Sequence, residues 1–175
     1  MDVLEEKLQS WDGKSAGAIE RIYGRFAAEP GFAKRLIVMS ADQTLETGAT
    51  WLLKHHMEVT KRGLNPTLAL KLAQTLPGLS GWEAKLHCLQ ILPYLALPGE
   101  STDLVFRFVL ACREDQNKFV RAWAYSGLHH LALAHPVFRT EVRALLENAV
   151  RTEQAASVKV RLRRALEQGF PDMPD

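Results

Sequence analysis

The chain has 175 residues, of which 47% are hydrophobic and 24% charged, and its formal net charge is +2. This composition excludes wholesale disorder, and a chain of this length can bury an adequate core without disulfides or metal. The nearly even charge balance favours neither a polyanionic nor a polycationic partner.

The sequence shows neither a secretory signal nor a membrane-spanning segment. The first residues, MDVLEEKLQSW, lack the basic start and apolar run of a secretory signal. No apolar run approaches the roughly 20 residues that cross a bilayer. Cys88 and Cys112 lie among apolar residues, which favours buried thiols, although a single bridge between them stays open. We therefore expect a cytoplasmic protein.

Apolar residues recur every three to four positions along the whole chain, which predicts helices. Glycine and proline divide the pattern into segments that are short enough to be single helices. In chain order the predicted helices cover residues 2–11, 16–29, 32–39, 42–56, a short stretch after Pro66, 81–94, a stretch after Pro98-Gly99 that includes Leu104 and Cys112, 115–131, a stretch from Pro136, and 154–168. Strand and hairpin signals are missing, so the predicted fold class is all-α.

Several residues predict where these helices begin and end. Ser15, Asp42 and Ser80 are candidate N-caps, because their side-chain oxygens can accept from the first free amides of a helix. Pro93 is expected to kink or end the helix that starts at residue 81. Gly169 is a suitable C-terminal stop.

The helices repeat at a constant spacing. Trp82, Val120 and Val158 lie 38 residues apart (120 − 82 and 158 − 120), and a shift of about 37 brings in Leu45. The match continues at offsets +4, +7 and +8, which form one face of a helix. A helix pair of this size cannot bury its apolar face alone, so the repeat predicts a stacked solenoid.

The stretch Asp115 to Leu131 resembles the second helix of a HEAT repeat. It has an acidic residue followed by Val120-Arg121 and then by Ala124 and Leu128, and Glu153 and Val158-Lys159 form a weaker copy one repeat later. The repeat at Trp82 departs from the pattern, with Pro77 at the acidic and Glu83 at the basic position.

This resemblance implies an architecture and a general role. The architecture is a right-handed α-α superhelix of about four HEAT-like helical pairs with an extra N-terminal helix. It would form one domain over residues 1–169, followed by a short tail at 170–175. HEAT stacks most often serve as binding surfaces or scaffolds.

Within that architecture Asp115 would cap its helix and the Arg121 guanidinium would reach neighbouring turns of the stack. The alternative is that Arg121 binds a phosphate group.

No residue pattern predicts a catalytic, metal or cofactor site. The adjacent pairs His55-His56 and His129-His130 point about 100° apart on a helix and cannot clamp one ion as an i, i+4 pair does. Ser80 and Ser126 lie outside any GxSxG elbow, and the phosphate-binding glycine loops are missing.

The C-terminal third is locally basic. Arg161 and Arg164 align, at the repeat spacing, with Trp123 and Ser126 of the preceding inner helix. Two interpretations stay open: a solvated helix face balanced by acids elsewhere, or a basic, aromatic-bearing strip that binds an anion.

Two functional hypotheses follow. In the first, a non-catalytic interaction module or scaffold presents its inner helices to a protein or peptide, with Trp123 and Tyr125 at the margin of the core face. The candidate binding residues are Trp123, Tyr125, Arg121, His87, His129, Arg161 and Arg164, and simple packing between repeats is the alternative for the two aromatic residues. In the second, the chain resembles HEAT-like alkylpurine DNA glycosylases and binds DNA through Trp51, Trp82, Trp123, Asp115 and the C-terminal arginines. The oligomeric state stays open.

Overall fold

The computed structural model describes residues 2–170, and over these residues the chain is all-α, as predicted, with no β-strand. The α-helices are α1 (Val3–Gln9), α2 (Ala16–Phe26), α3 (Phe32–Met39), α4 (Glu46–Thr60), α5 (Pro66–Thr75), α6 (Trp82–Gln90), α7 (Glu100–Cys112), α8 (Lys118–Ala134), α9 (Arg139–Thr152) and α10 (Ala156–Gln168). Three short 3-10 helices lie at Leu76–Gly78, Leu92–Tyr94 and Pro136–Phe138. None of the helices in this part of the chain has both the length and the apolarity needed to cross a membrane.

The chain divides into two compact units, Met1–Leu104 and Val105–Asp175. This division leaves the single domain over residues 1–169 a prediction. The first unit is built on α4, which packs against α2, α3 and α6. The predicted apolar face of α4 is confirmed, since Leu45, Ala49, Leu52 and Leu53 are all buried.

Helix boundaries in the first unit follow the local chemistry with two exceptions. Ser15 caps α2 by accepting from the Ala18 amide, as predicted. Asp42, in contrast, accepts from the Thr44 amide within a turn, and α4 begins later, at Glu46. Ser80 does not cap α6 either, because its hydroxyl donates to Glu46 Oε1.

No side chain caps the first free amides of α6, and Glu46 instead binds the residues just before the helix. Its side chain is buried, with 2% exposure, and it accepts from the Ser80 amide at 3.0 Å and from the Gly81 amide at 2.5 Å. These amides lie just before α6, where a carboxylate also meets the positive end of the helix dipole. One buried side chain of α4 therefore fixes the start of α6.

The second unit is organised around α8, which packs against both α9 and α10. Asn117 caps α8 by accepting from the Phe119 amide, whereas Asp115 accepts from the Asn117 amide one turn earlier. The predicted cap at Asp115 is therefore a turn-forming contact ahead of the helix. Arg139 closes the other end of α8, donating to the carbonyls of Ala132 and Leu133.

The C-terminal boundary is confirmed in part. Gly169 ends α10 with a positive φ of 65°, which suits glycine. Phe170, expected in the tail, is buried at 4% exposure against the His129 ring. The rest of the predicted tail, residues 171–175, lies outside the described residues. Cys88 and Cys112 are both buried thiols, as predicted.

Candidate anion-binding site

A cleft of about 280 Å³ lies between α8 and α10 and brings together polar residues of both helices. We call it the α8–α10 cleft. It is lined by Ser126, His129, His130, Leu133, Arg161, Arg164, Ala165 and Gln168. The lining contains two arginines and no acidic residue, so the cleft has a cationic character.

Arg161 is held in place before any ligand is present. Its guanidinium lies over the Trp123 ring at 4.1 Å from the centroid, and its Nη1 donates to Ser126 Oγ at 3.3 Å. Burial, and secondarily the neighbouring Arg164, lower the pKa of Arg161 from its ordinary value. A guanidinium nonetheless stays charged at neutral pH. Trp123 thus orients a cation that is partly stripped of water.

Arg164 and Gln168 form the exposed rim of the cleft. Among the described residues, no carboxylate forms an ion pair with Arg161 or Arg164. Two cations one turn apart on α10 repel each other when no anion lies between them. An anion in the cleft would relieve this repulsion.

The two histidines of the cleft have different surroundings. His129 is 5% exposed, and its Nε2 donates to the Gly169 carbonyl at 2.9 Å. His130 is half-buried, and burial followed by the charges of His129 and His135 lowers its pKa from the ordinary value. His130 is therefore mostly neutral near pH 7 and can donate or accept one hydrogen bond at the cleft.

Arg121 lies at the N-terminal end of α8, outside the cleft lining. Its Nε and Nη2 donate to the two carboxylate oxygens of Glu153, each at 3.0 Å, and its Nη1 donates to the Asp115 and Gln116 carbonyls. This bidentate pair holds the pKa of Glu153 below its usual range. Arg121 therefore reaches the connection between α9 and α10, and its guanidinium is engaged within the protein.

Tyr125 and His87 lie away from the cleft. Tyr125 was expected at the margin of the core face, but it is buried at 7% exposure. His87 Nδ1 lies 3.0 Å from Thr50 Oγ1, whose hydroxyl also donates to the Glu46 carbonyl at 2.7 Å. Of the seven predicted binding residues, Arg161, Arg164 and His129 line the cleft. Trp123 contacts Arg161 but does not line the cleft. The other three, Arg121, Tyr125 and His87, lie elsewhere.

His87 makes the stability of the first unit depend on pH. Burial, aided by the charge of Lys54, lowers the pKa of His87 to about 4. The unfolded chain, with an ordinary pKa of about 6.5, therefore takes up the proton first as the pH falls, and stability is lost between about pH 6.5 and pH 4. From about pH 7.5 to pH 5 this residue should lower the free energy of unfolding by about 2 kcal/mol.

Urea denaturation of the wild type and of His87→Gln at both pH values measures this effect. Glutamine can still donate to Thr50 but does not titrate. We expect the variant to lose about 2 kcal/mol less than the wild type over this range. Equal losses in the two proteins would show that His87 does not control the pH dependence.

A larger groove of about 770 Å³ lies in the first unit, but its lining does not favour a ligand of one charge. It is lined by residues of both charges, among them Asp2, Glu5, Lys34, Arg35 and Asp42. Arg35 already pairs with Asp2 at 2.6 Å and with Glu29 at 2.5 Å. The α8–α10 cleft, although smaller, has cations that remain available to a ligand.

Two polar residues of the cleft, His130 and Gln168, were not predicted for this face. Ser126 was placed there by the repeat spacing but was not named as a binding residue. The signal was nevertheless present, because His130 and Gln168 are 38 residues apart (168 − 130), as are Ser126 and Arg164 (164 − 126). Residues one repeat apart on adjacent inner helices should face the same groove.

The described residues contain no group of three or more His, Cys, Asp or Glu side chains placed to hold a metal ion. Comparison of the chain with protein-family models, with curated proteins and with solved structures found no match in any of the three.

Proposed function

We propose that this chain is a non-catalytic HEAT-like repeat protein, a right-handed superhelix of about four helical pairs with an extra N-terminal helix, that binds a partner protein through its inner helices. In this proposal α4, α6, α8 and α10 are the inner helices. The partner would lie across the α8–α10 cleft. The chain would act in the cytoplasm as an interaction module or scaffold.

Contacts between residues one period apart support the repeat. Trp123 and Arg161 are 38 residues apart (161 − 123) and stack at 4.1 Å, and Thr50 and His87, 37 residues apart, lie within 3.0 Å. Arg121 of α8 likewise pairs with Glu153, at the acidic position of the following repeat. Equivalent positions of successive helices are neighbours in a solenoid.

The binding role rests on one observation, the α8–α10 cleft with its two arginines available to an anionic group. Arg161 also presents, together with Trp123, a partly exposed cation and aromatic ring of the kind that dominates binding energies at protein interfaces. The cleft is therefore where charge and an aromatic anchor combine.

Cross-linking in a cell extract with the purified protein as bait tests this proposal. Trp123→Ala should lower recovery of a specific partner by about tenfold, because truncating a central aromatic anchor removes roughly 2 kcal/mol or more of binding free energy. Val38→Ala is the control, since Val38 is an apolar residue that is 64% exposed on α3, outside the inner helices. Failure to recover a specific protein, or equal losses in the two variants, would contradict the proposal.

The alternative is a nucleic-acid binder similar to the HEAT-like alkylpurine DNA glycosylases. It is favoured by Arg161 and Arg164, for which residues 2–170 supply no carboxylate partner. Asp115, one of the residues of this DNA-binding hypothesis, accepts a hydrogen bond from the Asn117 amide. Duplex DNA binding measured at low and moderate salt separates the two candidates, since contacts to phosphates weaken steeply as salt rises. Salt-sensitive binding that is lost in Arg161→Gln would support the alternative.

A further inference from the structure

We propose that the α8–α10 cleft binds a phosphate monoester carried on a serine or threonine side chain of the partner segment. This inference rests on the proposed function, since it specifies the chemistry of the partner at the same site. It is carried by the composition of the cleft and by the contacts that position Arg161.

The cleft offers donors that converge from two helices. Arg161 and Arg164 contribute guanidinium groups from α10, and Ser126 and His130 contribute polar hydrogens from α8. Gln168 adds an amide at the rim. A phosphate monoester has three acceptor oxygens and a charge between about −1.5 and −2, so it can match donors arriving from several directions and neutralise both arginines.

A carboxylate matches this arrangement less well. Its two oxygens lie in one plane and its single negative charge leaves one of the two arginines uncompensated. The volume of about 280 Å³ admits one such group with part of its carrier, and Leu133 supplies an apolar contact for the atoms next to the phosphate. We therefore assign the cleft to one phosphate group.

A nucleic acid requires cations that continue along the strand, because its affinity comes from neutralising successive phosphates. Three other arginines of the second unit do not line the cleft and have contacts of their own. Arg121 is engaged by Glu153, Arg139 is buried at 7% exposure against main-chain carbonyls, and Arg143 lies over the Phe170 ring at 5.9 Å. The cleft itself holds two arginines, which can neutralise one phosphate group but do not form a run of cations along a strand.

Titration of the full chain with defined probes, followed by two-dimensional amide NMR, tests the assignment. The probe is the peptide acetyl-Gly-phosphoserine-Gly-amide, and the comparison probes are its unphosphorylated form, inorganic phosphate and a short oligothymidylate. The phosphopeptide should shift resonances of Ser126, His130 and Arg161 in a saturable manner, with a Kd on the order of 1 mM. The unphosphorylated peptide should cause no saturable shift.

Three arginine variants provide the internal control. Arg164→Gln and Arg161→Gln should each weaken phosphopeptide binding by at least about tenfold. Arg163→Gln removes the same charge from the same helix, but Arg163 is exposed and does not line the cleft, so its effect should stay within about twofold. Arg164 is exposed as well, so Arg164→Gln keeps the test valid if Arg161→Gln disturbs packing on Trp123.

Several results would overturn the assignment. These are the absence of a saturable shift, equal effects of the Arg163 and Arg164 variants, inorganic phosphate binding as tightly as the phosphopeptide, or oligothymidylate binding more tightly than the phosphopeptide. The proposed function can fail or survive separately. If phosphatase treatment leaves the capture of a cross-linked partner unchanged, the proposed partner binding stands and the proposed phosphate recognition is wrong.

Discussion

Replacing Glu46 by alanine is expected to lower the free energy of unfolding by about 3 kcal/mol. The carboxylate accepts from the Ser80 amide, the Ser80 hydroxyl and the Gly81 amide, and the substitution removes all three bonds at once. These donors lie at the start of α6. Glu46 is 2% exposed, so water can replace only some of the three lost hydrogen bonds. Urea denaturation followed by circular dichroism measures the change.

Two further variants show whether the bonds or the bulk of the side chain are responsible. Glu46→Gln keeps the volume and one acceptor oxygen but turns an NH₂ group towards donors, so its loss should be smaller than that of Glu46→Ala. Glu20 of α2 is exposed, and Glu20→Ala should change stability by no more than about 0.5 kcal/mol. A loss below about 1 kcal/mol in Glu46→Ala would show that water replaces the carboxylate.

Gly63→Ala is expected to destabilise the protein by about 3 kcal/mol, for steric reasons alone. A β-carbon at Gly63 would lie 2.0 Å from the main-chain carbonyl oxygen of Tyr94, and main chain cannot move aside as a flexible side chain can. The φ angle of Gly63 is not positive, so the conformation itself suits alanine. The loop after α4 must shift away from the end of the 3-10 helix Leu92–Tyr94, as in an overpacked core.

Gly24→Ala is the matched control for this substitution. Gly24 lies inside α2, is exposed, and has no atom within 4 Å of the position of a new β-carbon. Alanine there should stabilise the protein by roughly 0.5–1 kcal/mol through helix propensity. The two variants should therefore differ in sign in the same thermal or urea denaturation, and a shared sign would refute the steric account of Gly63.

The fold class and most helix boundaries were predictable because their causes are local. The 3.6-residue pattern and residues such as Ser15, Asn65-Pro66 and Gly169 act within a few positions of themselves. The contact that fixes the residues before α6 was not predictable in this way, because Glu46, the side chain that makes it, comes from 34 residues earlier. Ser80 has the right chemistry for a cap but a stronger acceptor is present.

The candidate site was predictable to the extent that it follows the repeat. The 38-residue spacing placed Arg161 and Arg164 beside Trp123 and Ser126, and these residues do meet at the cleft. Burial of Tyr125 and His129 did not follow from the pattern of one helix. It depends on how α9 and α10 together cover α8, and the width of that covered face is a tertiary property.

The stack of Arg161 on Trp123 has a consequence for the thermodynamics of binding. A free arginine side chain has roughly 2 kcal/mol of rotamer entropy, much of which is lost when it grips an anion. In this protein the Trp123 ring and the Ser126 hydroxyl restrict Arg161 during folding, so an incoming anion meets a guanidinium that is already positioned. Pre-organisation of this kind improves affinity without adding a contact to the ligand.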